Sequence, residues 1–300
     1  MRFEKTGNVT DNFYVAGSSG VPVYVLDGPS PALFDAGITV MGKIYVNDIK
    51  KILGDRSPEY LFLTHAHFDH TGSAGYFKRI WPDLKIVGSA QSRDILVRPG
   101  AIKLITALNG AGIERAQASG FDPINDTPFE PFEIEQVVGH GQRINLGPDL
   151  FVEALHMPGH TRDFTSYWIS AKKILIASEA VGCEDNTGYI QAEFLVDYDR
   201  YLDNIYRLSH LDAEVLCIGH GMVLTGADVK AYMRRSIKSA KKYLFMVEGF
   251  LREANGNLET AAAKVKAVDW DNKPFPKQPE QPYLLNTRQR MHIIWERMQA

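Results

Sequence analysis

Thr64-His65-Ala66-His67-Phe68-Asp69-His70 sets three imidazoles and one carboxylate on a single short turn, in the pattern H-x-H-x-D-H. The apolar run Tyr60 to Leu63 before it reads as a buried strand. Thr71-Gly72-Ser73 after it reads as the start of a helix. Donor atoms at the end of a strand are held by a rigid element, which a metal site requires. Histidine is scarce in this chain, nine in 300 residues, so three within six positions point to metal binding rather than to a histidine cluster that only serves the fold.

Working outward, the first third alternates short β-rich runs with turns. Strands are expected at Phe13 to Ala16, Val21 to Leu26 and Ala32 to Phe34, separated by Gly17-Ser18-Ser19-Gly20 and Asp27-Gly28-Pro29-Ser30. Helices are expected at about 43–53, 74–80 and from Ser89, with a strand at Leu84 to Val87. Helical spacing recurs over 102–118, and the Pro- and Asp-rich stretch 121–131 reads as a loop. The middle returns to strands at 134–138, 150–156, 165–169 and 174–177. A helix at 198–209 then leads to a strand at 215–218. From Ala227 onward Val229, Met233, Ile237, Ala240, Leu244, Val247 and Leu251 step by three and four. A proline-rich loop (Pro274, Pro276, Pro279, Pro282) precedes a last helix at about 287–298, with Asn286 or Thr287 as its N-cap. Two packed sheets flanked by helices, followed by a helical tail, is the expected architecture.

Three further strand ends offer donor residues. His160 lies in His156-Met157-Pro158-Gly159-His160, Glu179 follows Ile174 to Ala177, and His220 lies in Ile218-Gly219-His220-Gly221. H-x-H-x-D-H, then P-G-H, then an acid after a strand, then G-H-G resembles the motif order of the metallo-β-lactamase superfamily, over roughly 13–225. The resemblance implies an α/β fold, a four-layer αββα sandwich with a helical C-terminal cap. It implies a catalytic domain over 1–225 and a helical extension over 226–300 that caps the active site. His65, His67 and His160 would hold one metal; Asp69, His70 and His220 would hold the second. Glu179 stands where the family has an aspartate bridging both. Glutamate keeps the charge and adds a methylene, so it would bridge in another rotamer, bind one metal, or spread the pair. Two divalent metal ions are implied, zinc first, with iron or manganese also suited to imidazole and carboxylate donors.

The implied reaction is hydrolysis by water activated between two metals, with Asp69 as the catalytic residue that orients the nucleophile and passes a proton to the leaving group. No G-x-S-x-G is present to suggest a serine hydrolase. The expected partner is a small-molecule ester or thioester. The helical tail resembles the caps of glyoxalase II-type thioesterases and, more distantly, of the quinolone-signal response thioesterases. Phosphodiesterase and lactonase are the enzymatic alternatives. Lactonases of the superfamily often carry a tyrosine at the position of Gly182, which weighs against that reading. His67 weighs against the oxygen-reducing di-iron members, which usually carry an acid there. A non-catalytic signalling or binding protein that keeps the fold is the alternative from another class, and Glu179 is its support.

Other candidates read more plainly. His156 suits a supporting role beside the P-G-H motif, and His140, His210 and His292 suit surface or core positions. Cys183 suits a small buried thiol. Lys230, Arg234, Lys238, Lys241 and Lys242 form a solvated face of the first tail helix, or else attract an anionic thiol carrier. The proline-rich loop with Phe275 and Tyr283 is a lid or a linker. Ile293, Ile294 and Trp295 read as core, with a homodimer seam as the other option. A net charge of −3 argues against a nucleic-acid partner. Two cysteines, no apolar N-terminal core and no membrane-spanning run lead to the expectation of a cytoplasmic protein.

Overall fold

The computed structural model describes residues 1–118, 120, 128–274, 277–278 and 280–300. Strand β1 (Arg2–Phe3) crosses to a sheet built mostly from the second half of the chain. The first sheet then forms in chain order. It comprises β2 (Gly7–Thr10), β3 (Phe13–Ser18), β4 (Val21–Leu26), β5 (Ala32–Phe34), β6 (Tyr60–Phe62), β7 (Lys85–Gly88) and β8 (Gln136–Val137). The pairing is antiparallel through β5 and parallel from β5 to β8. The connections carry helices α1 (Gly42–Leu53), α2 (Phe68–Thr71), α3 (Ala74–Ile80), α4 (Ala90–Leu96) and α5 (Pro99–Ala118). Parallel strands need such crossovers, whereas β3 and β4 close through a short turn.

The second sheet takes β9 (Arg143–Gly147), β10 (Leu150–His156), β11 (Thr165–Ile169) and β12 (Ile174–Ile176). A small hairpin, β13 (Cys183–Glu184) and β14 (Ile190–Gln191), stands apart from both sheets. Helix α6 (Tyr198–Ser209) then returns the chain to β15 (Val215–Cys217), which pairs parallel with β12, and β16 (Val223–Thr225) follows. Asp197 caps α6 by accepting from the Arg200 amide at 2.9 Å. Tyr198, Tyr201, Ile205 and Leu208 form its buried stripe.

The two sheets face each other across Phe13, Tyr24, Phe34, Phe62, Tyr167, Ile176 and Cys217. The outer face of the first sheet packs on α1, α3 and α5 through Tyr45, Ile49, Phe77 and Ile105. That of the second packs on α6 and on α7 (Ala227–Glu253) through Leu208, Leu216, Tyr232 and Met233. The result is the expected four-layer αββα sandwich.

The tail departs from expectation in two places. Helix α8 (Leu258–Lys266), capped by Asn257, interrupts what reads in sequence as one helical run into a loop. Helix α9 (Glu280–Gln299) begins well before Thr287. Pro282 sits in its first turn, where a missing N–H leaves no intrahelical bond unmade. Thr287 is therefore no N-cap; it is fully buried inside the helix. A fourth apolar cluster joins Phe194, Tyr201, Tyr243, Val247, Leu251, Val265, Met291 and Ile294, which places Ile294 in the core. Of the loop expected over 121–131, residues 128–131 carry no regular structure and 121–127 lie outside the described residues, as does Phe275. Among the described residues, no helix is long and apolar enough to cross a membrane.

Candidate metal centre

Both sheets deliver side chains to one edge of the sandwich. β5 ends in Asp35, and the chain leaving β6 carries Thr64 and His65 before α2 presents Asp69 and His70. From the second sheet, the β10–β11 turn carries His160. The parallel neighbours β12 and β15 release Glu179 and His220 side by side. Three hydrogen bonds lock the sheets together at this edge. Tyr24 donates to Ile218 O at 2.6 Å, Tyr167 to Leu63 O at 2.7 Å, and the Thr165 amide to Thr64 O at 2.8 Å.

All seven residues singled out in the sequence come together there. His65, His67 and His160 form one group that can hold a metal ion. Asp69, His70 and His220 form another, and Glu179 makes a third with His65 and His70. His67 Nδ1 lies 2.9 Å from His65 Nε2 and 3.2 Å from His160 Nε2. Glu179 Oε1 lies 2.9 Å from His70 Nε2 and 3.0 Å from His220 Nε2, while its Oε2 is 4.0 Å from His65 Nδ1. Asp69 Oδ2 stands 3.5 Å from His220 Nε2. Glu179 therefore lies closer to His70 and His220 of the second group than to His65 of the first.

The donor set fits cations. His70 Nδ1 meets Asp35 at 2.8 Å, and its buried Nε2 faces the buried Glu179 Oε1 without a hydrogen bond to satisfy either atom. Buried polar atoms are seldom left so. Gly219 makes room: a Cβ built there would overlap Glu179 Oε1. Ser178 holds a left-handed φ of 48°, and its hydroxyl donates to Glu179 Oε2 at 2.6 Å, so local strain accompanies the carboxylate's placement.

Electrostatics separate the two groups. Burial and the neighbouring imidazoles hold His65 well below the usual histidine range, and burial lowers His67. Burial and His67 take His160 down to about 3. The first group is therefore three neutral imidazoles with lone pairs free to coordinate. In the second group burial opposes charge, but Glu179 and Asp35 outweigh it and raise His70. Glu179 likewise pushes His220 up to about 9. Burial disfavours the charged carboxylates too, yet the adjacent histidines hold Asp69 and Glu179 below the ordinary carboxylate range.

Supporting contacts fix the rings. Asp35 accepts from the Thr64 amide at 2.8 Å and from the Thr64 hydroxyl at 2.9 Å, besides meeting His70. Asp163 Oδ2 accepts from the Ala66 amide and from Ser92 Oγ, both at 2.8 Å. His220 Nδ1 donates to Gly20 O at 2.7 Å, and His160 Nδ1 to Glu193 O. Sequence reading missed Asp35 and Asp163. Asp35 left a trace as an acid directly after a predicted strand, whereas nothing local marks Asp163. His65, His70, His160 and Glu179 are buried; His67, Asp69 and His220 are partly exposed and form the open side.

The remaining candidates lie elsewhere. The His156 amide donates to His140 Nδ1 at 3.2 Å, His210 Nδ1 to Tyr206 O at 2.7 Å, and His292 faces Glu296 at 3.2 Å. Burial, then Glu179, push the Cys183 thiol up, as suits an inert half-buried thiol. The basic residues of α7 are exposed, and Arg234, Lys238, Lys241 and Lys242 line an open surface cavity of about 500 Å³ with Ile237 and Phe245. None of the seven clustered residues lines that cavity.

The sequence profile of the metallo-beta-lactamase superfamily matches residues 17–220, and the chain belongs to that superfamily. It is 26% identical over 174 residues to a hydroxyacylglutathione hydrolase of Xanthomonas euvesicatoria, covering 57% of this chain and 50% of that one. It is 25% identical over 181 residues to the acyl-coenzyme A thioesterase MBLAC2 of Bos taurus, covering 58% and 62%. The chain thus spans about half to three fifths of these relatives' lengths. Among solved structures, the family protein TTHA1429 of Thermus thermophilus superposes with a TM-score of 0.62 at 16% identity, covering 99% of this chain and 93% of that one. That likeness concerns the fold.

Proposed function

We propose that this chain is a dinuclear metal-dependent hydrolase that acts on a thioester or other ester. In this reading His65, His67 and His160 hold one ion, Asp69, His70 and His220 hold the other, and Glu179 joins the second set while reaching toward the first. The observation that carries it is the convergence of two donor sets from both sheets around one buried carboxylate. Zinc, iron or manganese each suit such donors. Bound divalent cations would supply an acidified water and a Lewis acid for the carbonyl oxygen.

The chain's own residues do the rest. Asp69, on the open side, orients the attacking water and passes a proton to the departing thiol or alcohol. The neutral imidazoles of the first group present lone pairs without first losing protons. Asp35, Gly20 and Glu193 hold His70, His220 and His160 in single ring orientations. In this reading residues 226–300 form a cap beside this edge.

Substrate class rests on the cap and on the two thioester-cleaving relatives. Gly182 supports the preference over a lactone: it holds a φ of 76°, and a Cβ there would lie 2.5 Å from Gln191 O, so the tyrosine of superfamily lactonases has no room. Metal-loaded protein should hydrolyse glutathione or coenzyme A thioesters, and His67→Ala should lose on the order of 10³-fold in kcat/KM. Ready cleavage of bis-p-nitrophenyl phosphate with thioesters untouched would replace this reading with a phosphodiesterase. Metal uptake with no hydrolysis of either would favour the binding-protein reading.

A further inference from the structure

Arg290 of α9 is fully buried, far from any position the superfamily motifs mark. A buried guanidinium is costly unless its donors are used. Here the two terminal nitrogens are directed mainly to one short segment, while the buried Nε has no hydrogen-bond partner. Nη1 donates to Ala192 O at 2.8 Å and lies 3.8 Å from the Glu193 carboxylate, and Nη2 donates to Thr287 Oγ1 at 3.2 Å. With its amide oxygen turned inward, Gln191 accepts from both terminal nitrogens at 2.8 and 3.0 Å. One position earlier, Gln289 Nε2 donates to Leu195 O at 3.0 Å. Tyr243 of α7 backs the guanidinium at 5.2 Å.

The other side of that segment grips the P-G-H loop. Glu193 O accepts from His160 Nδ1, and the amides of Leu195 and Val196 donate to Gly159 O at 3.1 and 3.0 Å. The segment thus has α9 on one side and His160 on the other. A carbonyl that accepts from Nδ1–H leaves Nε2 as the lone-pair nitrogen, facing His67 at 3.2 Å.

We propose that Arg290 is a positioning residue for His160: α9 clamps residues 191–195 so that the Glu193 carbonyl fixes the imidazole with Nε2 turned toward His65 and His67. The C-terminal helix is then part of the metal site's preorganisation, although it supplies no donor to it. This inference rests on the metal-site reading for its purpose, while the clamp itself is testable without metal.

The test compares wild type with Arg290→Met in the metal-free state by ring ¹⁵N NMR of histidine-labelled protein. Metal affinity is then measured by competition with a chromophoric chelator. Wild-type His160 should be a single Nδ1–H tautomer. In folded Arg290→Met it should become a tautomer mixture, with about tenfold or greater loss of affinity at one of two sites. An unchanged tautomer and affinity within twofold in a folded variant would overturn the clamp. If Arg290→Met does not fold, Gln289→Ala, at an exposed position, decides: a minor second tautomer and about two- to fivefold weaker binding support the clamp, and no change overturns it. Wild type that takes up no metal would sink the metal reading, while the tautomer comparison would still judge the clamp.

Discussion

Glu179 is the residue at which this chain leaves the family pattern, and its surroundings show how the longer side chain is accommodated. Gly219 leaves the volume that Oε1 occupies, and Ser178 takes a left-handed φ and steadies Oε2. Gly219→Ala should therefore displace the carboxylate from between His70 and His220. The expected result is a folded protein whose second metal binds about 10- to 100-fold more weakly while the first binds normally, read by stepwise competition titration. Equal affinities in variant and wild type would show that Glu179 contributes nothing to binding. Asp35 and Thr64 belong to the same scale: a buried carboxylate that orients one imidazole and one strand end is recognisable only once His70 lies beside it.

At the scale of elements, strand ends carry the donors and helices carry the support. β12 and β15 lie parallel with Ile176 opposite Cys217, so the residues that follow them, Glu179 and His220, emerge together. The tail works through packing: Ile294 of α9 is fully buried in the cluster that holds Phe194 and Tyr201, beside the segment that supports His160. Ile294→Ala should destabilise the protein by about 2–5 kcal/mol, seen as a lower urea midpoint at unchanged slope. A loss well under 1 kcal/mol would mean that α9 is not anchored as the structure places it. The periodicity of α7 was legible because one face is buried along its length. The early start of α9 was not, because a proline in a helix's first turn looks the same in sequence as a proline in a loop.

Across the whole molecule, the second group is shared between the sheets: Asp69 and His70 come from the first and Glu179 and His220 from the second. A cation there would act as a clip across the sandwich edge. Its binding must compete with protons. His220 is held protonated up to about pH 9, mainly by Glu179 against the opposing effect of burial, and His70 is raised for the same kind of reason. Below that pH the metal has to expel a proton, so apparent affinity at this group should climb with pH from 6 toward 9. The first group, with His160 near 3, should show almost no such slope above neutrality. Titrations from pH 6 to 9.5 with proton release followed in weak buffer would check this. Two sites with identical flat profiles would contradict the charge assignment.

The sequence by itself determined the αββα architecture and the seven donor-type residues. Each donor follows a strand whose apolar pattern is local, and the motif order is a property of the chain alone. It could not give Asp35 and Asp163 their parts, the approach of Glu179 to the second group, or the link from Arg290 to His160. Those depend on which strand ends become neighbours and on how far side chains reach across the edge of two sheets. Arg290 and His160 lie 130 positions apart in the chain. Only the packing of α9 against residues 191–195 makes one of them bear on the other.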